Sequence, residues 1–104
     1  INTKNGAAKF AYNEIVYVES IRHRLILHTV DNDLEIFGSV KSFEQLVDST
    51  FFRCNNCYLV NLAHVSGIAQ DTVKVGPYQL PVSRTKRHGF LDAMSSYIDS
   101  SIFA

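Results

Sequence analysis

The chain has 104 residues, of which 46% are hydrophobic and 19% charged, and its formal net charge is zero. These values are ordinary for one small globular domain, and no apolar run approaches the roughly 20 residues that a membrane-spanning helix needs. Nothing resembles a secretory signal peptide, so we expect a cytoplasmic protein with reduced cysteines. The chain begins with Ile1 and its only methionine is Met94, so we expect it to be a piece of a larger protein.

The first third of the chain predicts strands. We expect residues 1–6 to be linker, and runs rich in β-branched and aromatic residues predict strands over 7–12, 15–19, 25–30 and 34–37. A polar loop is predicted over 20–23. The segment Asp31-Asn32-Asp33 is a strong turn signal and predicts a hairpin between the last two of these strands.

A short helix is predicted from Ser39 to Leu46. Either Ser39 or Ser42 can serve as its N-cap, and Ser42 and Gln45 have the spacing of a capping box. Its apolar stripe is predicted at Val40, Phe43 and Leu46, with Val47 as a further candidate.

Two strands are predicted around a polar corner at Asn55 and Asn56. Large apolar side chains at 51–52 and 58–60 fit a half-buried pleated surface, whereas the two asparagines favour a turn. Asparagine can also make a paired donor–acceptor contact with adenine N6 and N7. The corner therefore predicts either plain turn positions or a short recognition loop held by rigid strands.

The second half of the chain predicts a hairpin, a strand and a C-terminal helix. The hairpin strands lie over 65–69 and 73–75, and Gly76-Pro77 turns the chain into a strand over 78–81. Ser83 is predicted to cap a helix that runs to about residue 98, with Phe90, Leu91, Met94, Tyr97 and Ile98 on one apolar face. Residues 99–104 are predicted to be a tail, which leaves 7–98 as the domain. Strands dominate, so we expect a mainly β fold of small antiparallel sheets packed together.

Charge is segregated along the chain although the net charge is zero. No acidic residue occurs from Thr72 to Leu91, a window that holds Lys74, Arg84, Lys86, Arg87 and His88. A second basic cluster, Arg22-His23-Arg24, lies in a predicted loop. Any one of these side chains could be an ordinary solvated charge, but together they predict a basic face that binds an anion.

Positive charge opens the predicted C-terminal helix at Ser83-Arg84-Thr85-Lys86-Arg87. A helix N-terminus already carries about half a positive charge and unpaired N–H groups, so basic side chains are unfavourable there unless an anion binds. DNA phosphate would relieve this conflict, and the alternative is local neutralisation by Asp71 or Asp92. Arg84 is the candidate for a groove contact, because a guanidinium can pair with guanine O6 and N7.

The segment Cys54-Asn55-Asn56-Cys57 has C-x-x-C spacing. Two cysteines with His64 as the further ligand candidate close in sequence do not make a zinc site, and the βαβ setting of thioredoxin-like motifs is missing. We therefore expect two ordinary, part-buried cysteines and no metal or cofactor. We also expect no enzyme activity, because Ser, His and Asp occur outside any nucleophile-elbow or phosphate-loop context.

The spacing F-x-R-x-x-x-x-[FY]-x-V-N, found at Phe51, Arg53, Tyr58, Val60 and Asn61, resembles the signature of the LytTR family. Segments 15–20 and 23–28 resemble the family's first two core strands, and 80–84 resembles its closing LPVSR. LytTR domains are DNA-binding effector domains of bacterial response regulators of the AlgR/AgrA/LytR type. The family usually has His where Asn55 stands and Ser where Cys57 stands.

The resemblance implies an elongated stack of antiparallel β-sheets whose loops enter the grooves of double-stranded promoter DNA. It also implies an N-terminal receiver domain in the full-length protein, and a pair of copies on repeated sites. The loop that holds His23 would enter the major groove, and the position of Asn56 would contact DNA. With the basic clusters, the candidate DNA-binding residues are Arg22, His23, Arg24, Asn55, Asn56, Ser83, Arg84, Lys86 and Arg87. Two other functions stay open, a C-x-x-C thiol or metal domain and a β-rich module that binds an acidic protein.

Overall fold

A computed structural model of the protein describes residues 2–3, 6–7 and 11–103. Strands within these ranges are β1 (Asn2–Thr3), β2 (Gly6–Ala7), β3 (Ile15–Ile21), β4 (Arg24–Thr29), β5 (Asp33–Ile36), β6 (Phe51–Asn55), β7 (Tyr58–Asn61), β8 (Val65–Ile68), β9 (Thr72–Val75) and β10 (Tyr78–Pro81). Two α-helices are α1 (Val40–Glu44) and α2 (Arg87–Phe103), and single 3-10 turns cover Tyr12–Glu14, Leu62–His64 and Arg84–Lys86. None of the described helices combines the length and the apolar character that crossing a membrane requires.

The strands form two antiparallel sheets. The larger has the order β2-β1-β5-β4-β3-β7-β6, and the smaller has the order β10-β9-β8. The β-branched and aromatic runs that predicted strands lie in the centre of the larger sheet, where β3 pairs with both β4 and β7. The molecule measures 37 × 31 × 25 Å along its principal axes. The predicted mainly β fold of packed antiparallel sheets is therefore confirmed.

Each face of the larger sheet has its own core. Helix α1 covers one face, where the buried side chains are Ile15, Val18, Leu25, Leu27, Ile36, Val40, Phe43, Phe51 and Leu59. The smaller sheet and α2 cover the other face, where the buried side chains are Val16, Tyr17, Cys54, Val60, Leu62, Val73, Val75, Leu80, Val82 and Phe90. Side chains alternate along a strand, so Tyr17 and Val18 point to opposite faces. The consecutive residues Val16 and Tyr17 share a face, because the register of β3 against β4 shifts between Ile15 and Tyr17.

Close backbone approach joins the covering elements to the larger sheet. Gly76 has φ +53° in the two-residue turn between β9 and β10, and a Cβ there would lie 2.9 Å from Cγ1 of Val16. In α2, Gly89 allows the helix to meet Phe52, whose ring also packs edge-on against Phe90 with centroids 5.4 Å apart. Full burial of Phe90 contributes about 2–3 kcal/mol to stability.

The helices differ in detail from the sequence prediction. Helix α2 continues to Phe103 rather than ending near residue 98. Its buried side is formed by Phe90 together with partly buried Ala93, Met94 and Tyr97, whereas Leu91 and Ile98 are 38% and 46% exposed. The prediction that these last two belong to the buried face is wrong, because the helix packs on the sheet over a narrower stripe.

Helix α1 is capped by Ser39 and not by Ser42. The Ser39 side chain accepts a hydrogen bond from the Ser42 backbone, and Ser42 Oγ accepts one from the Ser39 backbone, at 3.0 and 2.9 Å. The helix is short, so Leu46 lies beyond it and is 65% exposed, while Val47 packs against the core in its place.

The N-terminal prediction is covered only in part. Residues 8–10 of the strand predicted over 7–12 lie outside the described residues, and Tyr12 belongs to a 3-10 turn. Within the segment predicted to be linker, Asn2–Thr3 pairs with Gly6–Ala7, and Thr3 pairs with Ile36 of β5. This segment therefore extends the larger sheet.

Candidate nucleic-acid interface

Three segments that the sequence marked as candidate binding regions lie at one end of the larger sheet. We call them the hairpin tip (Arg22–His23), the elbow (Asn55–Cys57) and the helix start (Ser83–Arg87). The tip joins β3 to β4, and β7 begins beside the last residues of β3. Ser20 donates its N–H to the Cys57 carbonyl, and Ser83 donates its N–H to the Cys54 carbonyl, each at 2.9 Å. These bonds fix the three segments side by side, and we call the surface that they form the loop edge.

The hairpin tip is a two-residue turn with unusual backbone angles. Ile21 pairs with Arg24, and the two residues between them have φ of 47° at Arg22 and 68° at His23. Positive φ at both central positions matches the right-handed twist of the flanking strands, but it costs about 1–2 kcal/mol for a residue with a Cβ. The turn holds the side chains of Arg22 and His23 exposed at the loop edge.

Arg24 does not belong to the tip loop, contrary to the sequence prediction. It is the first residue of β4, and its Nε lies 2.9 Å from Oε1 of Glu35 on β5. An exposed ion pair of this kind contributes little to stability, about 0–1 kcal/mol. It does, however, give Arg24 a counter-charge within the fold, which distinguishes it from Arg22.

The two asparagines of the elbow have different roles. Asn55 Oδ1 accepts the Cys57 N–H at 3.1 Å, so this side chain builds the turn. Arg53, in the strand that leads into the elbow, donates from Nη2 to the Asn56 carbonyl at 3.2 Å and so restrains the turn. The Asn56 side chain is exposed and has no hydrogen-bond partner among the residues that the structure describes. Both of its amide donors and its carbonyl oxygen are therefore available to a ligand.

The helix start is held by the backbone and not by a side-chain cap. Ser83 occupies the N-cap position with extended backbone angles, but its side chain makes no capping hydrogen bond, so the predicted Ser83 cap is wrong in this respect. The segment is anchored by the Ser83 bond to Cys54 and by the Val82 N–H, which donates to the Asp71 carbonyl at 2.8 Å. Lys86 N–H then donates to the Ser83 carbonyl at 3.0 Å and begins the 3-10 turn.

The basic side chains of the helix start differ in what they contact. Arg87 Nη1 donates to the carbonyls of Ala69 and Gln70, so this guanidinium ties the helix to the turn between β8 and β9. Arg84 is exposed, and neither it nor Lys86 forms an ion pair within the described part of the chain. Asp92 Oδ2 lies 3.4 Å from Nε2 of His88, so this acid contacts a residue further along the helix and not Arg84 or Lys86. Asp71, the other acid considered as a local neutraliser, lines a cavity together with Arg84 and Arg87 but forms no ion pair with either among the described residues.

The two cysteines are unpaired and lie in unlike environments. Cys54 is fully buried and Cys57 is exposed. Burial raises the pKa of the Cys54 thiol to about 12, so this sulfur stays neutral and unreactive at physiological pH. Its Sγ lies 3.7 Å from the Pro81 carbonyl oxygen. In the described ranges, no three His, Cys, Asp or Glu side chains are grouped so that they could hold a metal ion.

Sequence reasoning missed the part that Arg53 takes in the loop edge. The F-x-R-x-x-x-x-[FY]-x-V-N spacing marked the residue, but a single arginine in a predicted strand gives no sign of its partners. The structure shows that its guanidinium contacts the elbow backbone, and that its Nε is buried without a hydrogen-bond partner among the described residues.

Comparison with known proteins identifies a matching family, two similar relatives and a solved structure with a similar fold. The family model described as LytTr DNA-binding domain matches residues 6–95. The accessory gene regulator protein A of Staphylococcus aureus is 39% identical over 59 residues, and that of Staphylococcus epidermidis is 37% identical over 59 residues. Each match covers 55% of this chain and 24% of the relative, so the chain spans only a minor part of the length of these curated relatives.

A solved LytTr DNA-binding domain from Bacillus cereus has the same fold. It superposes with a TM-score of 0.78 at 20% sequence identity, and the alignment covers 89% of this chain and 92% of that one. At this identity the likeness concerns the arrangement of strands and helices alone.

Proposed function

The chain belongs to the LytTR family of DNA-binding domains, as the match over residues 6–95 shows, and from this premise we propose that its loop edge is the surface that contacts DNA. The family identity makes the chain a DNA-binding effector domain of the kind found in response regulators, rather than a C-x-x-C thiol or metal domain. We propose that the hairpin tip, Asn56 and Arg84 read base edges. Lys86 would contact phosphate, and Ser83, Asn55, Arg24 and Arg87 would support or flank these contacts.

The observation that carries the proposal is the convergence of three separate segments on one edge of the sheet. The backbone bonds from Ser20 to Cys57 and from Ser83 to Cys54 bring together residues that are far apart in the chain. At this edge Arg22 and Arg84 have no acidic partner among the described residues, and the Asn56 amide is free. Uncompensated positive charge beside exposed amide groups fits a polyanion that also carries hydrogen-bonding base edges.

The relatives support a wider proposal for the full-length protein. The curated relatives are named accessory gene regulators, and the chain matches only 24% of their length. We propose that the full-length protein is a cytoplasmic transcriptional regulator of the two-component type, with a receiver domain N-terminal to this one. We also propose that two copies bind repeated promoter sites, and that the domain acts by binding alone and catalyses no reaction.

A binding titration tests the proposal directly. A preferred duplex is first selected from a random pool, and binding to it and to a scrambled duplex is followed by fluorescence anisotropy between 50 and 200 mM salt, a range of about fourfold. We expect tighter binding to the selected duplex and a steep fall of both affinities with salt, since each neutralised phosphate releases counterions. Arg22→Ala should lower affinity, whereas Lys41→Ala on α1, which covers a different face, should not. Salt-independent binding, or equal losses in the two variants, would exclude the loop edge as the DNA surface.

A further inference from the structure

Arg53 has an environment that is unusual for an arginine in an edge strand. Its side chain is half-buried in β6, and Nη2 donates to the Asn56 carbonyl at 3.2 Å. Its Nε is buried and has no hydrogen-bond partner, and no carboxylate pairs with the guanidinium among the residues described. A buried donor that lacks an acceptor is costly, so a residue that packs only for stability would not be expected to be an arginine here.

The position of Arg53 explains what the guanidinium does. Pairing between β6 and β7 is irregular between Arg53 and Asn55, where Arg53 pairs with Leu59 and Asn55 pairs with Tyr58. A bulge of this kind interrupts the backbone ladder and leaves the adjoining turn less restrained. The Arg53 side chain bridges the interruption, because it starts before the bulge and ends on the carbonyl of the turn residue beyond it.

We propose that Arg53 is a positioning residue that fixes the backbone of the elbow, so that the Asn56 side chain is presented to a base edge. Two other bonds restrain the same turn, from Cys57 N–H to Asn55 Oδ1 and from Ser20 N–H to the Cys57 carbonyl. The first of them holds the N–H of the Asn56–Cys57 peptide group, and Arg53 holds the carbonyl oxygen of the same group. A paired contact between asparagine and adenine needs both the N–H and the carbonyl of the amide in place. Loss of the Arg53 hydrogen bond therefore reduces discrimination between base sequences more than it reduces sequence-independent affinity for DNA. This inference rests on the proposed function for its DNA readout.

The test compares Arg53→Met, Arg53→Lys, Asn56→Ala and the double variant Arg53→Met/Asn56→Ala. Methionine keeps the packing and removes the hydrogen bond and the charge, while lysine keeps the charge and an ammonium group that can donate. We expect Arg53→Met to reduce the ratio of affinities for the selected duplex and its single-base variants by about tenfold at one or two base pairs. The slope of affinity against salt should stay unchanged, and the double variant should discriminate no worse than Asn56→Ala. Arg53→Lys should recover part of the discrimination.

A second measurement uses the protein without DNA. Amide hydrogen exchange of Ser20 and Cys57 reports the two other bonds of the elbow, and we expect faster exchange at both amides in Arg53→Met than in the wild type. The amide of Leu27, in the buried centre of β4, should exchange at the wild-type rate and serves as the internal control.

Each contrary outcome has a separate meaning. A uniform loss of affinity with a salt slope lower by about one phosphate would show Arg53 to be a phosphate contact, which overturns the positioning role. Lower stability with unchanged discrimination and unchanged Ser20 and Cys57 exchange would show a packing role alone, which also overturns it. If the wild type binds no duplex, the proposed function fails, and the exchange rates still decide whether Arg53 braces the elbow.

Discussion

The two ends of the larger sheet use the same kinds of polar side chain in opposite ways. Asn61 and Asn56 belong to one hairpin, β6–β7, and stand at its two ends. Asn61 is 2% exposed, donates from Nδ2 to the carbonyls of Ile15 at 2.9 Å and Tyr12 at 3.3 Å, and accepts the Ala63 N–H at 3.0 Å. Asn56 is exposed, and its side chain has no partner within the described ranges. One asparagine is fully occupied in holding the chain together, and the other is free to bind a ligand.

The basic side chains show the same contrast. Away from the loop edge, buried His28 has Nδ1 2.8 Å from Oδ1 of Asp33 and Nε2 2.9 Å from Oε1 of Glu19, and its ring stacks on Tyr17. At the loop edge, neither Arg22 nor Arg84 forms an ion pair in the part of the chain that is described. Polar groups satisfied internally specify the fold, whereas the exposed groups at the loop edge are available to a ligand.

The largest effect on stability is expected when the buried Asn61 is replaced. Asn61→Ala deletes three hydrogen bonds and leaves buried carbonyl and N–H groups unpaired, so we expect a loss of about 3 kcal/mol in the free energy of unfolding. Urea denaturation measures it, and Asn56→Ala is the matched control, with an expected change within about 0.5 kcal/mol. DNA affinity should fall more in Asn56→Ala than in Asn61→Ala, provided that Asn61→Ala is assayed under conditions where it is folded. Similar stability losses in the two variants would contradict the division of roles.

Within the loop edge, Arg84 and Lys86 should differ in what they contribute. Arg84→Ala should cost about 1–3 kcal/mol on the selected duplex and flatten the preference at one or two base pairs. Lys86→Ala should weaken all sequences alike and lower the salt slope by about one phosphate. Titration of both variants against single-base variants of the duplex distinguishes these effects. Should Arg84→Ala leave discrimination intact, Arg84 contacts phosphate, and His23 or Asn56 reads the sequence.

A substitution at the hairpin tip is expected to raise stability and to lower DNA affinity. The double substitution Arg22→Asn and His23→Gly supplies the pair that a two-residue turn with positive φ prefers. We expect the free energy of unfolding to rise by up to about 1 kcal/mol, because the backbone strain is relieved, while DNA affinity falls. Thermal unfolding and anisotropy measure the two quantities on the same sample. A variant that is less stable than the wild type would show that the turn is not strained.

The smallest effects are expected at the exposed cysteine. Cys57→Ser should change stability by less than about 0.5 kcal/mol and leave DNA binding under reducing conditions unaltered. Cys54→Ser should also fold and bind, although its hydroxyl is buried and stability falls modestly.

Thiol labelling and alkaline unfolding distinguish the two sulfurs. A thiol reagent should modify Cys57 in the native protein and Cys54 only on unfolding. The folded pKa of Cys54 is raised to about 12 from 9.0, so its contribution to stability is complete below pH 9 and declines as the pH rises towards 12. Rapid labelling of Cys54 in the native state would contradict its burial.

The sequence predicted most strands correctly, because strand preference depends on the residues of each segment. Runs such as 15–18 and 58–60 carry their β preference in the residues themselves, and the turn signals between them are equally local. The helix faces were harder to predict. Leu46, Leu91 and Ile98 fit a helical stripe by spacing, but their exposure depends on where each helix ends and how it meets the sheet.

The candidate site was predicted as a set of segments and not as a geometry. Basic clusters and paired asparagines are visible in the sequence, whereas their convergence depends on backbone bonds between distant residues such as Ser83 and Cys54. Residue type alone gave Asn55 and Asn56 the same properties, and the family resemblance implied a DNA contact at Asn56. The bond from Cys57 N–H to Asn55 Oδ1 shows that the Asn55 side chain builds the turn. The contact of Arg53 depends on a bulge, which residue preferences do not reveal.

The left-handed turn at the hairpin tip restricts how such a domain can diversify its target during evolution. Arg22 and His23 are the non-glycine residues with positive φ in the described structure. Asparagine, aspartate, histidine and glycine tolerate this backbone, whereas the β-branched residues, whose methyl groups suit contact with thymine, are disfavoured. Asn56 and Arg84 carry no such restriction, so mutation there can sample every side chain. Among descendants of this protein, altered DNA preference should therefore accumulate at the elbow and the helix start, while the tip changes slowly.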